Sequence, residues 1–374
     1  MPSLSPHTKT YIDTPQALRE MIARLSTEKQ LCVDTEFHSE NRFRPQLMLL
    51  QIADMQQNAW IIDPIQCDIT PIVSLLNNSH LIMHGATEDI RIFQQLSIHP
   101  KSIFDTQIAA AMLGTFYPTR LSLLIAEFLN IQAPQNQTLT DWSERPLSKE
   151  QIEYAAEDVS VLPLLFRVLK EKLGESMNLL TEICAEFLEQ TLSDPPDEEE
   201  EWLQWGVTKT LSPSSINVLA RLLEWRKEQA QRQNKPIQYI LPKNIALDIA
   251  RRQPSSIHML KQNRKIHSTL IKQHGNALLK CIQQGQKDPT QYIPYATEEL
   301  RMGQVIQVWA HALRSTISID AQLLMPYDLA LKIARHGSSA LYGWRKELLQ
   351  NPLEDFLAGK TQLVVHNTHI KIHL

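Results

Sequence analysis

Apolar positions along the first half of the chain follow two alternating rhythms. "KTYID" and "QLCVDTEF" read as strands, and "TPQALREMIARLSTE" between them places its apolar residues at helical spacing. Thr14 suits the N-cap of that helix. Pro15 suits its first position, where a missing N–H leaves no carbonyl unserved. "LMLLQIAD" and "NAWIID" read as two more strands, close enough in sequence to pair as neighbours. "PIVSLLNN", "HLIMHG", "TEDIRIFQQL" and "SIFDT" then predict helix, strand, helix and short strand. Beyond Asp105 the pattern is helical throughout: "QIAAAML", "LSLLIAEFLN", and one long helix from Ser148 to about Lys172. Strands interleaved with helices predict an α/β core with a mixed sheet.

"SDPPDEEEEW" interrupts this pattern with two prolines in a run of acids, a composition that builds no core and reads as a linker. Past it every strong signal is helical, and the chain repeats itself. "PKNIALDIAR" begins at Pro242 and "PYDLALKIAR" at Pro326, 84 residues later; Trp225 and Trp309 keep the same spacing upstream. The repeat predicts two copies of one small helical module.

Composition narrows the class. Hydrophobic content of 43% and charged content of 21% are ordinary for a globular protein. No run approaches the roughly 18 apolar residues of a membrane span. "MPSLSPHTKTYID" has neither the basic start nor the apolar core of a signal peptide. Cys32, Cys67, Cys184 and Cys281 lie far apart with no CxxC pair, which argues against a structural zinc site or a disulfide framework. A cytoplasmic protein without a membrane partner is expected.

Charge is distributed unevenly. Residues 1–206 carry −16, residues 207–287 carry +12 and residues 288–374 carry zero, summing to the net −4. A block of +12 attracts polyanions, nucleic acid first among them. The first helical copy supplies it, with Arg226 and Lys227 in "EWRKEQAQRQNK" and Arg251 closing "PKNIALDIAR". The matching stretch after Trp309, "AHALRSTIS", keeps one arginine.

The candidate chemistry starts in "LCVDTEFHSE". Side chains two apart on a strand share a face, so Asp34 and Glu36 point the same way and Thr35 points opposite. Two like charges at the end of an apolar strand need a cation or full solvation, and Mg²⁺ takes such oxygen ligands. A D-x-E pair by itself is a weak signal. Glu88 and Asp89 open the helix of "HGATEDIRIF". "EYAAEDVSVL" offers Tyr154 with Asp158, and Glu153 with Glu157, each pair four apart on one helical face. Tyr154 and Asp158 run closer to the apolar stripe; periodicity alone leaves both pairs open.

"VDTEF", "HGATEDIRIF", "FDTQIAA" and "TDWSERPLSKEQIEYAAEDVSVL" together resemble the ribonuclease D family of the DEDD exonuclease superfamily, tyrosine subgroup. The helical tail resembles the paired HRDC domains of that family. The resemblance implies an RNase H-like α/β exonuclease domain with a mixed sheet over residues 1–193, an acidic linker over 194–206, and two all-α HRDC-type domains, a basic one over 207–288 and a second over 289–374. It implies a 3′→5′ exoribonuclease that matures the 3′ ends of tRNA precursors and other small RNAs. Asp34 and Glu36 match the first motif, Asp89 the second, and Tyr154 with Asp158 the third. Two divalent ions, Mg²⁺ or Mn²⁺, about 4 Å apart would then be held by Asp34, Glu36, Asp89 and Asp158. Tyr154 would orient the attacking water, and a nucleoside 5′-monophosphate would leave.

Phe37 and His38 follow the first motif and are candidates for the 3′-terminal nucleotide, as is His84, for which a buried hydrogen-bonded histidine is an equal reading. Arg42, Phe43 and Arg44 read either as an RNA-facing patch or as an ordinary loop. Asp105 reads as a helix cap, and Arg145 as a phosphate contact or the partner of a nearby acid. A DNA exonuclease using the same acids, and a non-catalytic RNA-binding adaptor, are the competing functions. A monomer is expected.

Overall fold

The strands expected from the first half join into one six-stranded mixed sheet, ordered β1-β4-β3-β2-β5-β6. These are β1 (Thr8–Ile12), β2 (Gln30–His38), β3 (Gln46–Ala53), β4 (Asn58–Ile62), β5 (His80–Met83) and β6 (Ser102–Asp105). The computed structural model describes residues 6–131, 141–193, 202–288, 292–366 and 369–373. Most of the expected acidic linker, residues 194–201, lies outside them. β2 is central, antiparallel to β3 and parallel to β5, and it buries Leu31, Cys32 and Val33 completely. No helix of the described residues is long and apolar enough to cross a membrane.

Local chemistry starts the helices where the sequence suggested. Thr14 caps α1 (Pro15–Leu25) by accepting from Ala17 N–H. Next come α2 (Val73–Asn78), α3 (Thr87–Gln95), α4 (Thr106–Met112) and α5 (Leu121–Leu124). Ser148 opens α6 (Lys149–Ser160) with a capping box: its Oγ accepts from Gln151 N–H, and the Gln151 side chain accepts from Ser148 N–H. The single long helix expected from Ser148 to Lys172 is in fact two, α6 and α7 (Leu162–Leu173), divided at Val161. Pro163 has no N–H for the carbonyl four residues back, and its ring crowds that turn, so the helix restarts with proline in its first turn. α6 packs over β2, β3 and β4, α7 on β5, and α8 (Met177–Leu192) on β6.

The chain divides into two compact units. The first comprises Met1–His38, Gln46–Pro196 and Arg301–Leu374; the second comprises Ser39–Pro45 and Asp197–Leu300. In the first, the second helical copy shares one apolar core with the sheet, through Ile306, Trp309, Leu324, Trp344 and Leu349. Arg345 seals that contact, donating to Glu186 Oε1 at 2.9 Å and to the carbonyls of Leu323 and Leu324. Asp320 N–H also bonds Ala111 O at 2.8 Å. The all-helical expectation for the tail needs one correction. It closes with a two-stranded antiparallel hairpin, Gln362–His366 and His369–His373, where apolar and polar residues alternate.

The second unit is helical around its own core of Trp202, Leu219, Leu222, Ile249 and Leu278. The helices Pro213–Gln233 and Ser268–Lys287 meet at Gly285, where an added Cβ would lie 2.5 Å from Val218 Cα, so no larger residue fits without parting them. Each copy of the repeat runs a long helix, a four-residue helix and a ten-residue helix that starts after its proline, Pro242 or Pro326. Trp225 meets His274 edge-on and Trp309 stacks on Phe356, each on the last long helix of its copy.

Candidate active site

Three elements converge on the C-terminal half of β2. β2 brings Asp34 and Glu36, the first turn of α3 brings Asp89, and α6 brings Tyr154 and Asp158. The β2–β3 register slips between Glu36 and Phe37: Glu36 pairs with Leu49 and Phe37 with Leu47, so Met48 bulges out. Such a bulge re-aims the side chains beside it.

The acids feel one another. Burial, then Asp89, Asp158 and Glu36 in turn, push the Asp34 carboxyl well above the usual carboxylate range. Burial, then Asp158 and Asp89, push Glu36 to about 8. Asp89 rises to about 6 through burial, against the Thr35 hydroxyl that donates to it. Asp158 also rises to about 6 through burial, against a hydrogen bond from Tyr154. Among the described residues, no cation is among the groups that chiefly shift these four acids. Among the described residues no three acids, histidines or cysteines are drawn into a finished ligand shell. Desolvated, mutually repelling carboxylates, Asp89 buried and the other three half-buried, are the donor set that suits a hard divalent cation.

Tyr154 donates its hydroxyl to Asp158, and burial, then the Asp158 charge, raise its pKa further from neutrality. Its ring lies 6.2 Å from that of Trp142. A phenol so held acts as a hydrogen-bond donor and not as a base.

A second layer fixes where these elements begin. Asp105 accepts from Gly85 and Ala86 N–H at 3.1 and 2.9 Å, tying down the turn before α3, and from Gln107 N–H at 2.8 Å as the N-cap of α4. Its capping role is therefore seen directly. Gly85 takes φ +64°, and an added Cβ would stand 3.2 Å from Gln107 Nε2, so the turn needs glycine. Arg145 meets an acid: its Nε and Nη2 bond both carboxylate oxygens of buried Asp63. Its Nη2 also bonds the carbonyl of Met48, the bulged residue. Tyr11 O–H completes the set on Asp63 Oδ2 at 2.5 Å. Burial alone would raise the Asp63 pKa; the Arg145 and Tyr11 hydrogen bonds outweigh it and hold the carboxyl below its usual range.

Of the residues expected to touch substrate, Phe37 is half-buried against the core and His38 is half-buried near Asp141. His84 has both ring nitrogens engaged, Nδ1 with Thr106 Oγ1 at 2.9 Å and Nε2 with Thr119 O at 3.1 Å. Burial lowers its pKa; Nε2–H donating to the Thr119 carbonyl leaves Nδ1 beside the Thr106 hydroxyl, which also donates to Met83 O at 3.1 Å. In the second unit, Arg226 bonds Leu241 O at 3.4 Å, Lys227 is half-exposed on the same helix, and exposed Arg251 bonds Thr210 Oγ1 at 3.2 Å. Within that unit, Arg44 N–H bonds Asn234 and Tyr239 O–H bonds Asn41.

Sequence reasoning set Thr35 aside as facing away, yet its hydroxyl holds Asp89. It also passed over Gln51, whose one signal was a polar residue inside the apolar run "LMLLQIAD".

Comparison with known proteins fits this site. Residues 10–174 match the 3′–5′ exonuclease family model, and residues 215–282 match that of the HRDC domain. A ribonuclease D of Gluconacetobacter diazotrophicus is 30% identical over 76% of this chain and 73% of its own length. That of Pseudomonas paraeruginosa is 29% identical over 92% of this chain and 96% of its own. The crystal structure of Escherichia coli RNase D superposes with a TM-score of 0.81 at 22% identity, covering 95% of this chain and all of that one.

Proposed function

Since this chain belongs to the ribonuclease D family, and is thus a 3′→5′ exoribonuclease, we propose that Asp34, Glu36, Asp89 and Asp158 hold two divalent cations, Mg²⁺ or Mn²⁺, against the 3′-terminal phosphodiester of RNA. The observation that carries the reading is the convergence of four mutually repelling carboxylates, Asp89 buried and Asp34, Glu36 and Asp158 half-buried, with no cation among the described groups that chiefly shift them. Bound there, divalent ions supply Lewis-acid polarisation of the phosphodiester and offset the charge that builds on it.

The chain's own groups do the rest. Asp34, which feels the charge of the other three acids most strongly, would be a shared holder of the ions. Thr35 fixes Asp89 and Tyr154 fixes Asp158, so each carboxylate presents one chosen oxygen. Tyr154, protonated across the working range, orients water toward phosphorus and takes no proton from it. Attack breaks the bond to the 3′-oxygen of the preceding nucleotide, so a nucleoside 5′-monophosphate leaves and the shortened chain ends in a 3′-hydroxyl. Phe37 and His38, at the strand end beside Glu36, would meet the terminal sugar and base. Both ring nitrogens of His84 are committed to the protein, which leaves neither for the terminal nucleotide.

Residues 1–193 are read as the exonuclease domain, 207–288 as a basic HRDC domain, and 289–374 as a second, HRDC-like copy; the linker expected over 194–206 is shortened at its end, where Trp202 joins the core of the second unit, and residues 301–374 share the core of the sheet. The basic copy, through Arg226, Lys227 and Arg251, tracks the phosphates of 3′-extended tRNA precursors and other small structured RNAs. The enzyme acts as a monomer in the cytoplasm.

The decisive experiment incubates the full chain with a 3′-extended tRNA and a matched single-stranded DNA, with Mg²⁺ and with EDTA. Mg²⁺-dependent release of 5′-monophosphates from the RNA supports the reading. Release in EDTA, or activity of Asp34→Asn within tenfold of wild type, overturns it.

A further inference from the structure

Gln51 sits in the middle of β3 with no exposed surface, and neither its Oε1 nor its Nε2 has a hydrogen-bond partner among the described residues. A buried amide left unpaired forfeits its hydration with nothing in return, so its position needs a reason. Register supplies one. In the antiparallel β2–β3 pair, Gln51 stands directly opposite Asp34. Residues so opposed share a face, with Cβ atoms about 5 Å apart. On the other side Gln51 pairs with Ile61, and its same-face neighbours along β3 are Leu49 and Ala53. Asp34 is therefore the one polar side chain beside it in the register.

We propose that Gln51 is a positioning residue for the cation site: unpaired as the chain stands, its Nε2–H donates to the Asp34 carboxylate once a bound cation holds that acid ionised, fixing which oxygen the carboxylate presents. This rests on the reading that Asp34 holds a cation. An amide suits the role where a lysine or arginine would not: it donates without adding positive charge, so it orients Asp34 and leaves the acids' charge for the metal. A donor behind a ligand also favours the ionised carboxylate, the form a cation requires. Thr35 on Asp89 and Tyr154 on Asp158 already hold two of the acids by neutral donors. On cation binding Gln51 supplies the same support to the third, the one most crowded by negative charge.

The test uses the full chain as Gln51→Met, nearest in length and volume, with Gln51→Leu as a second replacement and Asp34→Asn as reference. Mn²⁺ binding is read from the loss of the free-ion paramagnetic resonance signal, and unfolding temperature is measured in EDTA. The expected result is Mn²⁺ affinity lower by about 10–100-fold, the usual effect of losing a ligand's outer partner. Unfolding in EDTA should come at an unchanged or higher temperature, because the unpaired amide is gone. Affinity within twofold of wild type in a folded variant overturns the proposal. So does a fall in affinity matched by a fall in unfolding temperature for both replacements, which marks a packing role. If wild type and Asp34→Asn bind Mn²⁺ alike, the cation site itself is wrong, and the role of Gln51 falls with it.

Discussion

Arg145 grips Asp63 through a two-pronged pair of hydrogen bonds, Nε to Oδ2 at 2.5 Å and Nη2 to Oδ1 at 3.0 Å. Arg145 precedes the helix that bears Tyr154 and Asp158, and Asp63 follows β4. The pair thus ties the approach to α6 to the sheet, and through Met48 O to the bulge beside Glu36. Asp63 is fully buried and the Arg145 side chain is 14% exposed, so removing one partner strands a buried charge. Arg145→Ala should lower unfolding free energy by about 3–5 kcal/mol, measured by urea denaturation. Arg145→Lys keeps the charge but loses the fork, and should restore only part of that.

The same acid sets a pH limit. Its folded-state pKa is depressed, so its contribution is present above the unfolded value near 3.9 and is lost as pH falls through the folded one. Asp63→Asn should therefore unfold less steeply with acid than wild type. Equal acid-unfolding midpoints and slopes would contradict the clamp.

The site acids act in the opposite sense. Glu36 titrates at about 8 and Asp89 and Asp158 at about 6 in the folded chain, above their unfolded values. Their contribution to stability is complete below about pH 4 and is lost as pH rises through those values. In EDTA the chain should be less stable at pH 8 than at pH 5, and Mg²⁺ should narrow or reverse the difference by favouring the ionised acids. Unfolding temperatures at both pH values, with and without metal, check this; a flat profile in EDTA counts against the cluster.

Tyr154→Phe removes the hydroxyl that lowers the Asp158 pKa. The acidic limb of the kcat/KM profile should move to higher pH, and kcat should fall by about 100-fold, within the range for a lost proton-handling or water-orienting group. An unmoved limb would separate Tyr154 from Asp158.

The basic helical copy should show itself through salt. Lys227→Gln and Arg251→Gln should each lower the slope of log affinity against log salt by about 1 if each meets one phosphate. Turnover of a short single-stranded RNA should stay unchanged. Filter binding across a salt series reads the slope.

Much of this was legible in the chain. Asp34 and Glu36 stood out because strand alternation puts them on one face, and Ser148 and Thr14 because capping is local chemistry. Choosing Asp158 over Glu157 needed the resemblance, since both fit one helical period. The break at Pro163 was masked because the apolar rhythm continues across it. Thr35 and Gln51 stayed hidden for a different reason: their roles depend on which strand or helix lies alongside, and pairing register is a tertiary property. The closing hairpin was lost among helical neighbours although its alternation was plain.

The core shared by the sheet and residues 301–374 changes how deletions should be interpreted. A shortened chain ending near residue 300 would lack the partners of Glu186 and Ala111 and expose apolar surface on the catalytic part. Its inactivity would report a damaged interior and carry no information about RNA contacts. The informative deletion excises the basic copy from within and rejoins the flanks, leaving residues 301–374 in place.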